Sequence, residues 1–121
     1  MLRPCMKKAR FIWKSTCSTC RDARKFLRDE LGVVLDERDY AKQPFSIDEL
    51  TDLFKDSDPR DYLNPRSPAF KAMNLAGKTL SPADALRLMT EESNLIKRPI
   101  VISGHTIIAG FDLNRYRELL S

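Results

Sequence analysis

The sequence lacks a long apolar run, a second cysteine motif, an internal repeat and any low-complexity stretch or linker. No hydrophobic segment approaches the ~20 residues of a membrane-spanning helix. The basic start Met1–Arg10 leads only into the short cluster Phe11-Ile12-Trp13, which is not the apolar core of a signal peptide. These absences exclude a membrane role and lead us to expect a soluble, cytoplasmic protein. Histidine occurs once, as His105, and the cysteines number three: Cys5, Cys17 and Cys20. An odd count excludes a fully paired secreted scaffold and favours a reducing compartment. A zinc site begun by Cys17 and Cys20 would need two more ligands, and only Cys5 and His105 are available, so no metal is expected.

The 121 residues predict a single domain spanning 1–121, large enough to fold without staples and expected to be a monomer. The net charge of +4 is unevenly placed: the segment up to Glu30 carries nine basic residues against three acidic ones, and the remainder is net negative. Lys7, Lys8 and Arg10 have no interleaved aromatic platform for stacking bases, so no direct nucleic-acid binding is expected. The positive charge instead surrounds the cysteines.

Ala9, Phe11 and Trp13 alternate with Arg10, Ile12 and Lys14, which predicts a strand ending near Trp13. A small polar turn follows, and Ala23, Phe26, Leu27 and Leu31 recur at helical spacing until Gly32 offers a cap. Val33-Val34-Leu35 starts a second strand running towards Asp39, and a right-handed crossover would lay it parallel to the first. From Ser46 to about Glu92 the chain reads as helical. Ser46 and Glu49 can form a capping box with Phe45 stapled to Leu50, and Ser67-Pro68 and Ser81-Pro82 each place Ser at an N-cap and Pro at the first helical position. Ile100-Val101-Ile102 and Thr106-Ile107-Ile108 flank Ser103-Gly104-His105, a hairpin signal. Asp112 then caps a last helix with Leu113, Tyr116 and Leu120 inward. The order is that of an α/β protein: a four-stranded mixed sheet with flanking helices and a helical insert, about 46–92, between strands 2 and 3.

Cys17-Ser18-Thr19-Cys20 lies between the first strand and its helix. That puts Cys17 at a helix N-terminus, where free N–H groups and the positive end of the dipole stabilise a thiolate. Cys20 sits one turn in, in a geometry that permits a reversible disulfide, and Lys14, Arg21 and Arg24 are expected to lower the thiol pKa further. Arg98-Pro99 opens the third strand, and a proline there, which can be cis, leaves backbone free to dock a ligand. His105 reads as an exposed turn residue, Trp13, Phe26, Phe54, Phe70 and Phe111 as core, and Cys5 as a bystander ahead of the first strand.

Cys17-Ser18-Thr19-Cys20-Arg21, Arg66 ahead of the Phe70 helix, and Ile96-Lys97-Arg98-Pro99-Ile100-Val101 followed by Gly110-Phe111 resemble the ArsC/Spx family. The resemblance runs from about Ala9 to Leu120 and implies a thioredoxin-like fold with a helical insert. For the arsenate reductases of that family it implies a nucleophilic cysteine, here Cys17, with Arg98, Arg66 and Arg21 holding the oxyanion and Pro99 structuring the site. No bound cofactor is implied. The single-cysteine reductases carry Ser where this chain has Cys20; here Cys20 can resolve the adduct to a Cys17–Cys20 disulfide, recycled by thioredoxin, glutaredoxin or glutathione. Those reductases also carry an arginine near the position of Gly110-Phe111. The C-x-x-C pair and Gly110 resemble Spx instead, a regulator that binds the RNA polymerase α subunit. Spx carries a glycine in the loop where this chain reads Asp56-Ser57-Asp58-Pro59.

Overall fold

The computed structural model describes residues 7–55 and 57–120. The chain divides into two compact units, one from the segments up to Asp39 and from Arg98 onward, the other Tyr40–Lys97. Cys5 lies outside the described residues.

The first unit is built on four strands, β1 Lys8–Trp13, β2 Val34–Asp39, β3 Ile100–Ser103 and β4 Thr106–Ala109. They lie in the order β2-β1-β3-β4, with β1 parallel to β2, and β3 antiparallel to both β1 and β4. The expected mixed sheet is therefore present, and the crossover through the first helix lays β2 parallel to β1 as expected. Helix α1, Ser18–Lys25, continues as a wider π-helical turn over Phe26–Glu30, closed by the Leu31 N–H on the Phe26 carbonyl at 3.2 Å. Gly32, at φ +65°, ends it.

One face of the sheet carries the core. Ala9 and Phe11 of β1, Val101 of β3 and Ile108 of β4 pack with Ala23 and Leu27 and with Tyr116 and Leu120 of the last helix. The alternation in β1 thus sends Phe11 to this face and Ile12, also buried, to the other. In the hairpin, Gly104 at φ +60° supplies the positive φ that a two-residue turn needs, and His105 beside it is exposed. Asp112 caps the last helix through the Arg115 N–H at 3.1 Å. Leu113, expected inward, is 43% exposed. It is the first residue of that helix, and the buried stripe begins only at Tyr116, one turn later.

The second unit holds α2 Ile47–Leu53, α3 Pro68–Ala72 and α4 Pro82–Glu91, with single 3-10 turns at Pro59–Tyr62 and Ser93–Leu95. Both hydrogen bonds of the Ser46–Glu49 capping box are formed, and α4 has a second box between Ser81 and Asp84. Ser67 and Pro68 start α3 as read from the sequence. Leu50, Leu53 and Phe54 are buried, and the Phe54 ring stacks on Tyr62 at 4.7 Å. A short antiparallel bridge joins Leu63 to Ile96, flanked by Asn64 N–H to Leu95 C=O (2.7 Å) and Lys97 N–H to Tyr62 C=O (2.9 Å).

The candidate thiol site

The turn between β1 and α1 is held from several sides. The Ser15 N–H and hydroxyl both donate to Asp39 Oδ2, at 3.3 and 2.5 Å. Asp39 ends β2 and pairs in register with Trp13, so the two parallel strands deliver these polar groups to one edge. Arg21 Nη1 donates to the Ser15 carbonyl at 2.9 Å, and the Cys17 N–H donates to the Lys14 carbonyl at 3.0 Å. Cys17 itself is the N-cap of α1, with extended φ −91° and ψ 121°. Its sulfur therefore sits at the positive end of the helix, as the strand-turn-helix reading predicts.

Cys17 and Cys20 are both thiols; Cys17 is half-buried and Cys20 is fully buried. Burial pushes the Cys17 thiol up, but hydrogen bonds from the Cys20 backbone and the Cys20 thiol, with the hydrogen bond and charge of Arg98, outweigh it and hold Cys17 below its ordinary value. Cys20 behaves in the opposite way. Burial, aided by its bond and charge interaction with Cys17, pushes its thiol up to about 12, against a backbone hydrogen bond from Lys14 and the charge of Arg98. One sulfur is thus biased to the thiolate and its neighbour to the thiol that donates to it.

Arg98 bonds Cys17 and lends it positive charge, while Arg24 and Arg21, nearer in sequence, are engaged elsewhere. Arg24 Nε is paired with Glu37 Oε1 at 2.9 Å, and its guanidinium lies over the Trp13 ring, 5.3 Å from the centroid. Arg21 buttresses the turn through Ser15. Arg66 belongs to the other unit, where it is exposed and its N–H donates to Asn64 Oδ1 at 3.1 Å.

Pro99 is buried, and the Arg98–Pro99 bond is cis. Its carbonyl accepts from the Gly110 N–H at 2.8 Å, one step beyond the Ile100–Ala109 pair of the β3–β4 ladder. Gly110 adopts φ +89°, a left-handed conformation that arginine would enter only under strain, although a Cβ would meet nothing within 4 Å. Phe111 turns towards Phe26 and Tyr116, at ring separations of 6.1 and 5.8 Å.

Sequence reasoning missed the Ser15–Asp39 clip and the bond that the Tyr116 hydroxyl donates to the Gly110 carbonyl at 2.6 Å. The clip is detectable as polar residues at the ends of adjacent parallel strands, whereas spacing alone makes Tyr116 one more core aromatic. Among the described residues, no group of three His, Cys, Asp or Glu could hold a metal, and no helix is long and apolar enough to cross a membrane. An open groove of about 610 Å³ in the helical unit includes Arg60 and Lys78. Arg60 is engaged with Asp58 and the Leu80 carbonyl, and Lys78 with the Met73 carbonyl.

The ArsC family profile matches residues 12–119. The chain is 33% identical over 112 residues to the YusI protein of Bacillus subtilis (strain 168), covering 89% of this chain and 94% of that one. It is 28% identical over 107 residues to the global transcriptional regulator Spx of the same organism, covering 87% and 81%. The solved structure of an arsenate reductase from Vibrio cholerae superposes with a TM-score of 0.80 over 95% of this chain and 99% of that one; at 23% identity the likeness carries the fold alone. Four strands in this order, helices flanking them and a profile match over nearly the whole length lead to one conclusion: the chain belongs to the ArsC family, with its thioredoxin-like fold.

Proposed function

We propose that the protein is a cytoplasmic thiol oxidoreductase that reduces a small oxyanion such as arsenate, with Cys17 as nucleophile, Cys20 as resolving thiol and Arg98 as the main anion ligand. The observation that carries this reading is the divided pair: Cys17 lowered beside Arg98, and Cys20 raised by burial. An attacking sulfur must be a thiolate at working pH, whereas a resolving sulfur should stay protonated until it is needed. The Arg98 guanidinium offsets the repulsion between a thiolate and an approaching anion, and helix N–H groups add to it. Arg21, on the same helix as Cys20, is a secondary anion ligand.

The Cys17 thiolate attacks arsenic(V), an oxygen leaves as water after protonation, and a Cys17–arsenic bond forms without change of oxidation state. That step removes the negative charge from Cys17 sulfur, and with it the part of the upward push on Cys20 that this charge supplies. The Cys20 proton is then lost to solvent and its thiolate attacks Cys17. The sulfur–arsenic bond breaks with its electron pair passing to arsenic, which leaves as arsenite, and the two sulfurs become a disulfide. An external thiol reductant, thioredoxin, glutaredoxin or glutathione, returns the two electrons.

The competing reading is a Spx-like switch, a regulator that binds the RNA polymerase α subunit. Spx homology and the C-x-x-C pair favour it. The loop that should meet the polymerase argues against it. Asp58 stands there in an ion pair with Arg60 at 2.7 Å, its carboxyl held below its usual range by Arg60 hydrogen bonds, and presents bulk and charge where Spx has glycine. The experiment is a coupled assay of arsenate-dependent reductant consumption on wild type and on Cys17→Ser, Cys20→Ser and Arg98→Ala, beside co-purification with the α subunit. We expect turnover in the wild type, none in Cys17→Ser, and loss in the other two. No arsenate-dependent turnover together with α-subunit capture would transfer the chain to the regulator class.

A further inference from the structure

The Tyr116 hydroxyl donates to the Gly110 carbonyl at 2.6 Å. The N–H of the same glycine donates to the Pro99 carbonyl at 2.8 Å, so both backbone polar groups of Gly110 are spoken for, one by the last helix and one by the peptide that follows Arg98. Gly110 has left the strand at φ +89°, and its carbonyl has no place in the β3–β4 ladder. Without a donor from elsewhere that partly buried carbonyl would be unsatisfied. The ring that supplies the donor is fully buried and fixed between Phe26 and Phe111 at 6.4 and 5.8 Å.

We infer that Tyr116 is a positioning residue for the thiol site: its hydroxyl fixes Gly110, Gly110 fixes Pro99, and Pro99 fixes the Arg98 guanidinium that bonds Cys17. This rests on the proposed reading for its purpose, but not for its measurement. A core aromatic at this position needs no hydroxyl, and phenylalanine would fill the same space. The hydroxyl is also close enough to the pair that the Cys20 charge, after burial, is among the causes raising its own pKa. An ionised Tyr116 could not donate, and its upward shift keeps the proton in place wherever Cys17 works.

The test is the pH profile of Cys17 alkylation by iodoacetamide in the reduced protein, which needs neither arsenate nor a partner. Tyr116→Phe keeps the ring and removes the donor. We expect its alkylation midpoint to move upward and the rate below the wild-type midpoint to fall roughly fivefold, the factor that one hydrogen bond carries. In an Arg98→Ala background the same substitution should change nothing further, because the relay ends at that guanidinium. Phe111→Leu loosens the aromatic cluster but keeps the hydroxyl, and it should lower the melting temperature while leaving the midpoint in place. An unmoved midpoint in Tyr116→Phe overturns the inference, as does an equal shift in Phe111→Leu or an additive loss with Arg98→Ala. A wild-type protein that alkylates as described but does not turn over arsenate would defeat the proposed substrate and leave the relay standing.

Discussion

Each of the two units is ordered internally by different means. In the sheet unit the decisive contacts join residues far apart in sequence: β1 pairs with β2 on one side and β3 on the other, and Cys17 meets Arg98 from the far side of the insert. In the Tyr40–Lys97 unit the helix and turn starts are set by neighbours, and the Leu63–Ile96 bridge is the long-range tie. Ser46 bonds Glu49, Ser81 bonds Asp84, Ser67 caps Ala69 and Asp58 caps Arg60. The candidate site sits where the fold brings distant groups together: the hydrogen bond and charge that hold Cys17 down come from Arg98, on the other side of the insert in sequence. The helix starts of the insert rest on local signals, each worth little alone. The difference predicts that damage to the sheet unit changes both stability and thiol reactivity, and that damage to local caps changes stability only.

The largest effect should come from Phe11→Ala, at the centre of the sheet and fully buried. It should cost about 3–5 kcal/mol in urea unfolding, the usual range for a buried phenylalanine, and raise the Cys17 alkylation midpoint as the site loosens. A cost below about 1 kcal/mol would break the comparison, since the sheet would then not be the cooperative centre.

The second effect follows from the Cys20 thiol, pushed up to about 12 by burial. The unfolded chain gives up this proton near the ordinary thiol value and the folded chain holds it. Stability from Cys20 is therefore fully present below the ordinary thiol range and falls as pH rises from there towards 12. Cys17, whose folded pKa is lowered, works in the opposite sense: its contribution is present above the ordinary value and lost as pH falls. Urea midpoints of the reduced protein between about pH 8 and pH 10.5 should drop more in wild type than in Cys20→Ser. Equal slopes would mean that Cys20 titrates as an ordinary thiol.

A pair of glycines gives a sharper, smaller contrast. Gly110 in the sheet unit and Gly77 in the insert have φ of +89° and +79°, and a Cβ at either would meet nothing within 4 Å. Alanine at either position should therefore cost about 1–2 kcal/mol for the left-handed backbone alone. Only Gly110→Ala should also raise the Cys17 midpoint, because only Gly110 bonds the Pro99 carbonyl. Equal midpoints in both variants would show that the Pro99 contact does not reach the thiol.

How much of this was legible in the sequence follows the same division. The caps at Ser46, Ser67 and Ser81 were readable because capping is decided within three residues. The strand-turn-helix around Cys17 was readable from periodicity and from the motif itself. Local spacing does not disclose the charge on Cys17, since Arg24 pairs with Glu37 on β2, a partner that only the sheet register reveals. The Arg98-Pro99 step is legible at the start of the third strand, but the anion-holding role of Arg98 is implied only by the family resemblance. The Tyr116 hydroxyl depends on tertiary placement of a polar atom, which no period of two or 3.6 encodes.

The smallest effect tests the other half of the comparison. Ser81 accepts from the Asp84 N–H at 3.1 Å, and Asp84 accepts from the Ser81 N–H at 3.3 Å, which holds the Asp84 carboxyl below its usual range. Ser81→Ala removes one bond of this box and should cost about 1 kcal/mol. Hydrogen exchange should rise in α4, Pro82–Glu91, more than in β1 or β3, because a lost cap frays its own helix before it reaches a nonlocal sheet. The Cys17 alkylation midpoint should stay where it is. A midpoint that moved with Ser81→Ala would mean that the insert is coupled to the thiol site as tightly as the sheet is, and the distinction between locally and nonlocally held units would no longer describe how this protein controls its cysteines.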